Sequence, residues 1–300
     1  MSREVTEVIT PGTVVEPTLL EAKRNNYLAA VIIEGERAGI AYTDITTGEF
    51  AVTQVSQADP ADIVSRELDR LRPAECLIPE ADTPLFAKQE SQGTTFTPYE
   101  GWRFELDNAR RALSEHLQVS SLEGYGCAHL PLAIQAAGAI VQYLGETRKS
   151  ALAKLTQLTT YSLDSFMVLD PSTRRNLELT QTIREGKAEG ALLGVLDHTV
   201  TPMGSRMLRR WLNQPLLDLA ALQARLDAVE VLHRDGALRA SLRATLKAIG
   251  DLERLANRAA QQIATPRELH NLRVALERVP DLAAKAGAIR PESLGPPTLL

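Results

Sequence analysis

Metal-dependent cleavage of phosphodiesters needs three or four carboxylates converging on two Mg²⁺ ions, typically with one on the first strand of a sheet. The candidates here are Glu34, Asp44, Asp69 and Glu75, but the first strand-like run, Ala29–Ile33, carries none. Asp44 falls on the second such run, Glu34 at a turn, and Asp69 and Glu75 on a helix and a strand edge. A scaffold sheet is the simpler reading, with a metal-dependent nuclease as the alternative. His116, His129, His198, His233 and His270 form no H-x-x-x-H or H-E-x-x-H pair, which argues against a metal site. Ser205, in Met203-Gly204-Ser205-Arg206-Met207, lacks the second glycine of G-x-S-x-G and lies in an expected helix interior, the wrong setting for a nucleophile elbow. Gly186-Lys187-Ala188 lacks the upstream glycine and the following Ser/Thr of a phosphate loop, and Gly145–Ser150 fails on spacing. The expectation is no catalytic, cofactor-binding or metal-binding residue, and no ATP hydrolysis by this chain alone.

The densest cationic groups are Arg174-Arg175 and Arg206, Arg209 and Arg210. Such arginines can hold phosphates, but with aromatics at 4% there is no interleaved stacking surface for single strands. Salt links between helices or domains are the first reading, and weak DNA contact by Arg209 and Arg210 the second. Trp211 reads as a core anchor.

Those arginines sit in the stretch with the densest local instruction, Leu192–Pro215. Leu192, Leu193, Val195 and Leu196 form an apolar helical end, broken by Asp197-His198-Thr199. Thr201-Pro202 reads as an N-cap followed by proline at the first helical position, where its missing donor costs nothing. Met207, Leu208, Trp211 and Leu212 recur on one helical face, and Pro215 ends the helix. Gly204 in the first turn implies a close approach there, since it costs about 1 kcal/mol against alanine.

The elements around this stretch follow from period and punctuation. Ala29–Ile33, Gly39–Ile45 and Glu49–Val55 alternate with period two around Gly35-Glu36-Arg37 and Thr46-Thr47-Gly48, a three-stranded meander. Glu16–Ala30 is expected to start as a helix. Helices are expected over Asp59–Leu71, Leu85–Gln89, Phe104–Leu113 and Leu130–Leu144, and strands over Glu75–Ile78 and Thr94–Thr97. This order implies a mixed α/β sheet of about five strands. Beyond residue 147 the pattern is helical, with Phe166–Leu169 and Leu177–Thr180 extended and Asp170-Pro171 opening a short helix. Further helices cover 202–212, Asp218–Leu232, Gly236–Ile249 and Asp251–Ile263. Thr265-Pro266-Arg267-Glu268 is a capping box that starts a last helix to Val279.

Composition agrees with two domains: 300 residues, 44% apolar, 24% charged. No run approaches the ~18 apolar residues of a membrane span, and the opening MSREVTEVITPG has no secretory apolar core. Cys76 and Cys127 stand alone, as buried thiols in a reducing cytoplasm would. Residues 1–146 hold 11 basic and 22 acidic side chains, and residues 147–300 hold 22 and 16. The acidic half suits phosphate poorly.

The strings LDPSTRRNLELT (169–180) and LLGVLDHTVTPMGSRMLRRWLNQPL (192–216) resemble the start of the central core, or lever, domain of the MutS mismatch-repair family. TPGTVVEPTLLEAKRNNYLAAV and AYTDITTGEF resemble its connector, and AAGAIVQYLGETRKSALAKL the join between the two, so the likeness covers nearly the whole chain. The resemblance implies an α/β then all-α chain: a lead-in over 1–8, an RNase H-like mixed-sheet connector domain over 9–146, and an incomplete helical lever domain over 147–300. Its motif residues are Asp170, Arg174, Arg175, Asn176, Thr201, Pro202, Gly204, Arg206 and Trp211. It further implies a cytoplasmic, nucleoid-associated parent that recognises mismatched duplex DNA, dimerises, contacts MutL through the connector, and uses ATP and Mg in a C-terminal ATPase. A relative acting in recombination is the alternative within the family. The Phe-x-Glu wedge and the Walker A motif of the family have no counterpart in this sequence, so the expected role is mechanical.

Overall fold

Strand β1 (Leu28–Glu34) is LAAVIIE, and its first five residues are all buried. A strand this apolar on both sides needs cover on both sheet faces. Two-residue turning at Gly35-Glu36 leads to β2 (Arg37–Asp44), and Thr46-Thr47-Gly48 to β3 (Glu49–Ser56), both antiparallel as expected. Gly35 takes φ +58, the left-handed turn conformation that glycine adopts without strain. These features come from a computed structural model that describes residues 8–87, 93–287 and 289. Of the expected lead-in over residues 1–8, only Val8 is described, its amide donating to the Thr147 carbonyl at 3.0 Å; residues 1–7, the end of the Leu85–Gln89 helix and the proline-rich stretch after Ile289 lie outside the described residues. The chain divides into two compact units, Met1–Leu163 and Asp164–Leu300.

In the first unit, helix α1 (Pro60–Leu71) is capped by the Asp59 side chain and returns the chain to β4 (Glu75–Pro79), parallel to β1. The short helix α2 (Thr83–Phe86) precedes β5 (Thr95–Tyr99), parallel to β4. The order β5-β4-β1-β2-β3 is the RNase H-like arrangement, a meander extended by parallel strands at its first strand. One addition was not expected. Strand β6 (Thr159–Thr160) pairs in parallel with β3, making six strands. This pairing carries the first unit past the expected boundary at 146/147 to Leu163.

Helix α1 covers one face, where Ile63, Val64, Leu68 and Leu71 meet Val31, Ile40 and Tyr42. Helices α3 (Leu106–Leu117) and α4 (Pro131–Thr147) belong to the other. Along α4, thirteen of seventeen residues are buried, which explains an apolar run too long for a surface helix. The helices approach closely where Gly138 meets Ala109: a β-carbon at Gly138 would lie 2.4 Å from the Ala109 Cα. The helix expected from Glu16 is only a 3-10 turn at Pro17–Leu19. Asn25 and Asn26 are instead committed to the Asp44 carboxylate, the Asn25 Nδ2 at 2.9 Å and the Asn26 amide at 3.2 Å, which holds the approach to β1 extended.

The second unit is helical. It contains α6 (Pro171–Asn176), α7 (Leu192–Leu196), α8 (Pro202–Asn213), α9 (Leu219–Arg234), α10 (Gly236–Ile249), α11 (Leu252–Ala260) and α12 (Pro266–Gly287), following the one-turn α5 (Lys149–Leu152) that belongs to the first unit. Phe166 makes an isolated bridge to Leu216, as the extended expectation implies. Leu177–Thr180 is not a strand but a turn, because the Glu178 and Leu179 carbonyls accept from the first amides of α7. The helix expected to stop at Val279 continues through Pro280 to Gly287. Proline forfeits one backbone bond and crowds the preceding turn. Asp281, one residue on, accepts from the Thr245 hydroxyl of α10 and from Lys285, fixing the continuation against its neighbour.

Candidate functional site

Of the carboxylates that the alternative nuclease reading would need to converge, Asp44 and Glu75 each have their own partners within the chain. Asp44 is fully buried and accepts from Asn25, Asn26 and both the amide and hydroxyl of Thr46. Glu75 is equally buried and accepts from the Thr10 hydroxyl, the Gly12 amide, Thr97 and Tyr143. Each is saturated by its own chain and serves to pin a loop to the sheet. Burial raises the Tyr143 phenol, so it stays a donor to Glu75. Glu34 is exposed on the β1–β2 turn. Among the described residues no three His, Cys, Asp or Glu side chains are gathered to hold a metal. Cys76 and Cys127 are buried free thiols, and burial raises both pKa values, the opposite of nucleophile activation.

What does assemble is a joint around α8. The Thr201 hydroxyl accepts from the Gly204 amide at 3.1 Å, with Pro202 at the first position, as the sequence predicts. Gly204 is required by that cap: a β-carbon there would stand 2.9 Å from the Thr201 Oγ1. Ahead of the cap, Asp197 at the end of α7 accepts from the Ser205 hydroxyl at 2.8 Å and from the Thr199 amide at 3.2 Å. Ser205 is therefore a tie between α7 and α8 rather than a nucleophile.

Arg206 is the centre of the joint. Its side chain is only 4% exposed. It donates to both oxygens of Asp251, at 2.9 and 2.7 Å, and to Glu253 at 2.6 Å. Burial alone would lower its pKa, but the hydrogen bonds and charges of Asp251 and Glu253 outweigh it and raise the value. Asp251 is also the N-cap of α11, accepting from the Arg254 amide. One carboxylate thus ends a helix and receives a cation from another. Such a bidentate pairing fixes the angle as well as the distance between the two groups.

At the far end of α8, Asn213 accepts from Arg174 at 3.4 Å, and the Met167 amide donates to the Pro215 carbonyl at 2.8 Å. Asp170 caps α6 through the Thr173 amide and hydroxyl. Thr173 lowers the Asp170 pKa by these bonds. The motif residues Asp170, Arg174, Thr201, Pro202, Gly204 and Arg206 therefore all belong to one connected joint. Arg175 and Asn176 lie at the exposed end of α6. Arg209 is half-buried and Arg210 exposed on α8.

Trp211 departs from expectation. It is 42% exposed, with the Arg225 guanidinium 3.9 Å from its ring centroid, not a core anchor. The buried side of α8 is Ser205 and Arg206 instead. The polar ties to Asp197 and Asp251 turn that side inward, leaving Met207 53% exposed.

A second ion pair braces the following turn. Arg258 on α11 donates to Glu268 at 2.7 Å, and Glu268 closes the expected capping box with Thr265. The Arg258 hydrogen bond holds the Glu268 carboxyl below its ordinary 4.5. The unfolded chain then takes up this proton first, so the contribution is full above pH 4.5 and is lost as pH falls through the lower folded value. Denaturant midpoints of the helical unit are expected to fall across that acid window, and Arg258→Met to flatten part of the slope.

An RNase H-like mixed sheet followed by a helical unit tied by buried polar joints defines the class of this fold. Two family descriptions match in that order: MutS domain II over residues 26–157 and MutS domain III over residues 172–295. The chain is 48% identical over 296 residues to the DNA mismatch repair protein MutS of Thermosynechococcus vestitus, covering 95% of this chain and 34% of that protein. It is 46% identical over 295 residues to that of Synechococcus elongatus (94% and 33%) and 43% identical over 324 residues to that of Roseiflexus castenholzii (95% and 30%). The chain belongs to the MutS family and carries its domains II and III. It spans about a third of the length of these relatives.

Proposed function

We propose that this chain is the connector and the first part of the lever of a mismatch-repair protein, transmitting nucleotide state to the geometry of a DNA clamp. The ordered match to MutS domains II and III carries the reading, and the saturated carboxylates support a mechanical role for the chain itself. In the whole protein, mismatched duplex DNA, ATP with Mg, a second MutS copy and MutL would be the partners, MutL meeting the connector. Arg209 and Arg210 would serve as weak DNA or interdomain contacts. A cytoplasmic, nucleoid-associated location accords with this, and no helix among the described residues is long and apolar enough to cross a membrane.

Transmission needs stiff elements with defined docking rather than reactive groups. The capped α8 and its charged tie to α11 supply that stiffness. The isolated chain is expected to show no ATPase activity and no preference for mismatched over perfect duplex at physiological salt. A mismatch preference that survives salt titration would overturn this reading, because it would place recognition within these domains.

A further inference from the structure

The last residues of the first unit are fastened by an arrangement that the coupling role leaves unexplained. Glu67 and Arg70 lie one turn apart on α1, a spacing ordinarily found on wet helix faces. Here their side chains are only 4% and 9% exposed, with the Arg70 Nη2 2.5 Å from Glu67. The Tyr161 hydroxyl donates to the same Glu67 oxygen at 2.6 Å. Arg70 lies 6.0 Å from the Tyr161 ring centroid and 5.9 Å from that of Tyr42, and the two rings meet edge to face at 5.7 Å. Tyr161 and Leu163 pack onto the core under α1.

The same segment is held from its other side. The Tyr161 amide donates to the Val52 carbonyl at 3.0 Å, and the Thr160 hydroxyl to the Tyr125 carbonyl at 2.7 Å. Upstream, the His116 ring meets the Leu155 carbonyl at 2.7 Å. A two-residue strand is too short to hold by pairing alone. Its side chains provide the remaining grip, and that grip keeps an ion pair dry.

Drying a charged pair costs free energy that the pair recovers when water returns. The docked segment is thus tight in geometry yet offset by hydration in its released form, the balance a two-state element requires. We propose that Tyr161, Glu67 and Arg70 form a releasable clasp that fixes where the chain leaves the first unit. Tyr161 is the positioning residue of that clasp. The clasp's role in signalling rests on the coupling reading above, but its existence does not.

Amide hydrogen exchange on the full chain tests it. Tyr161→Phe removes one hydroxyl and keeps the ring, and Glu67→Gln keeps the shape and removes the charge. Both are expected to speed exchange at the Tyr161 amide, which donates to the Val52 carbonyl, by about tenfold, the size of one net hydrogen bond, while the β1–β2 amides stay protected. Unchanged exchange at the Tyr161 amide in both variants would overturn the clasp. For its role, the chain is placed in the Thermosynechococcus vestitus protein in place of the matching third. Tyr161→Phe in that chimera is expected to keep mismatch affinity and basal ATP turnover while reducing ATP-driven release from the mismatch. Full release with Tyr161→Phe would overturn the signalling role. A chimera with the native tyrosine that shows no ATP response would overturn the coupling reading instead, leaving the clasp to be judged by exchange.

Discussion

Arg206→Ala is expected to destabilise the helical unit by about 3 kcal/mol, the lower end for breaking a buried ion pair from one side. The lower end applies because Asp251 and Glu253 keep 18% and 48% exposure, so water compensates part of the loss. The penalty has two sources. Three charge-assisted hydrogen bonds disappear, and two carboxylates that shared one cation are left facing each other. Arg206→Lys should recover only part, because one ammonium cannot meet both Asp251 oxygens in the same plane. Glu253→Gln should cost less than about 1 kcal/mol, as exposed pairs do. The two tryptophans, Trp102 and Trp211, fall one in each unit. In a Trp102→Phe background, Trp211 fluorescence therefore reports the helical unit's transition on its own. Loss of the Trp211 transition's early onset in Arg206→Ala, that is, no shift at all, would show that the joint carries no stability.

Gly39→Ala is expected to cost the first unit about 3 kcal/mol or more, from the upper range of overpacking effects. A β-carbon at Gly39 would lie 2.1 Å from the Leu132 carbonyl oxygen and 2.7 Å from the Ala133 nitrogen. Both are backbone atoms in the first turn of α4, so no rotamer change relieves the clash. The register explains why α4 comes so close. Gly39 pairs with Gln54 on β3, and the Gln54 side chain accepts the Leu132 amide at 2.8 Å. That amide is one of the orphan donors of a helix start. One strand position makes room for the helix, and its neighbour caps it. Insolubility of Gly39→Ala, or a lowered denaturation midpoint with Trp102 as the reporter, is the expected outcome. An unchanged midpoint would mean that α4 slides freely over the sheet.

Local features were legible in the residues because their partners are nearby in sequence. The Asp59, Asp170 and Thr201 caps and the Thr265–Glu268 box are all made within three residues. The meander was legible from its period and turns. The joint itself was not. Arg206 and Asp251 are separated by 45 residues, and Asp251 advertises only its cap. Trp211 shows the limit most directly: apolar spacing marks a face of α8 but does not say which neighbour covers it. Here the polar ties of Ser205 and Arg206 decide the rotation, and the tryptophan lies half out under Arg225. Leu226 and Val229 on α9 follow the same rule, regularly spaced yet 61% and 63% exposed. Pro280 erred in the other direction, since a local breaker was overruled by the tie between Asp281 and Thr245.

The coupling role proposed above routes a mechanical signal through the α8 joint, where Arg206 ties α8 to α11. The direct measurement is ATP-driven release of a fluorescent mismatched duplex from the chimera with the Thermosynechococcus vestitus protein, with and without Arg206→Ala, at a temperature where both remain folded. Arg206→Ala is expected to leave mismatch affinity and ATP binding each within about threefold, and to slow release by about tenfold or more, the effect of losing an element that couples the two by about one to three kcal/mol. Release at the unaltered rate, with the Arg206 joint broken, would contradict the coupling role.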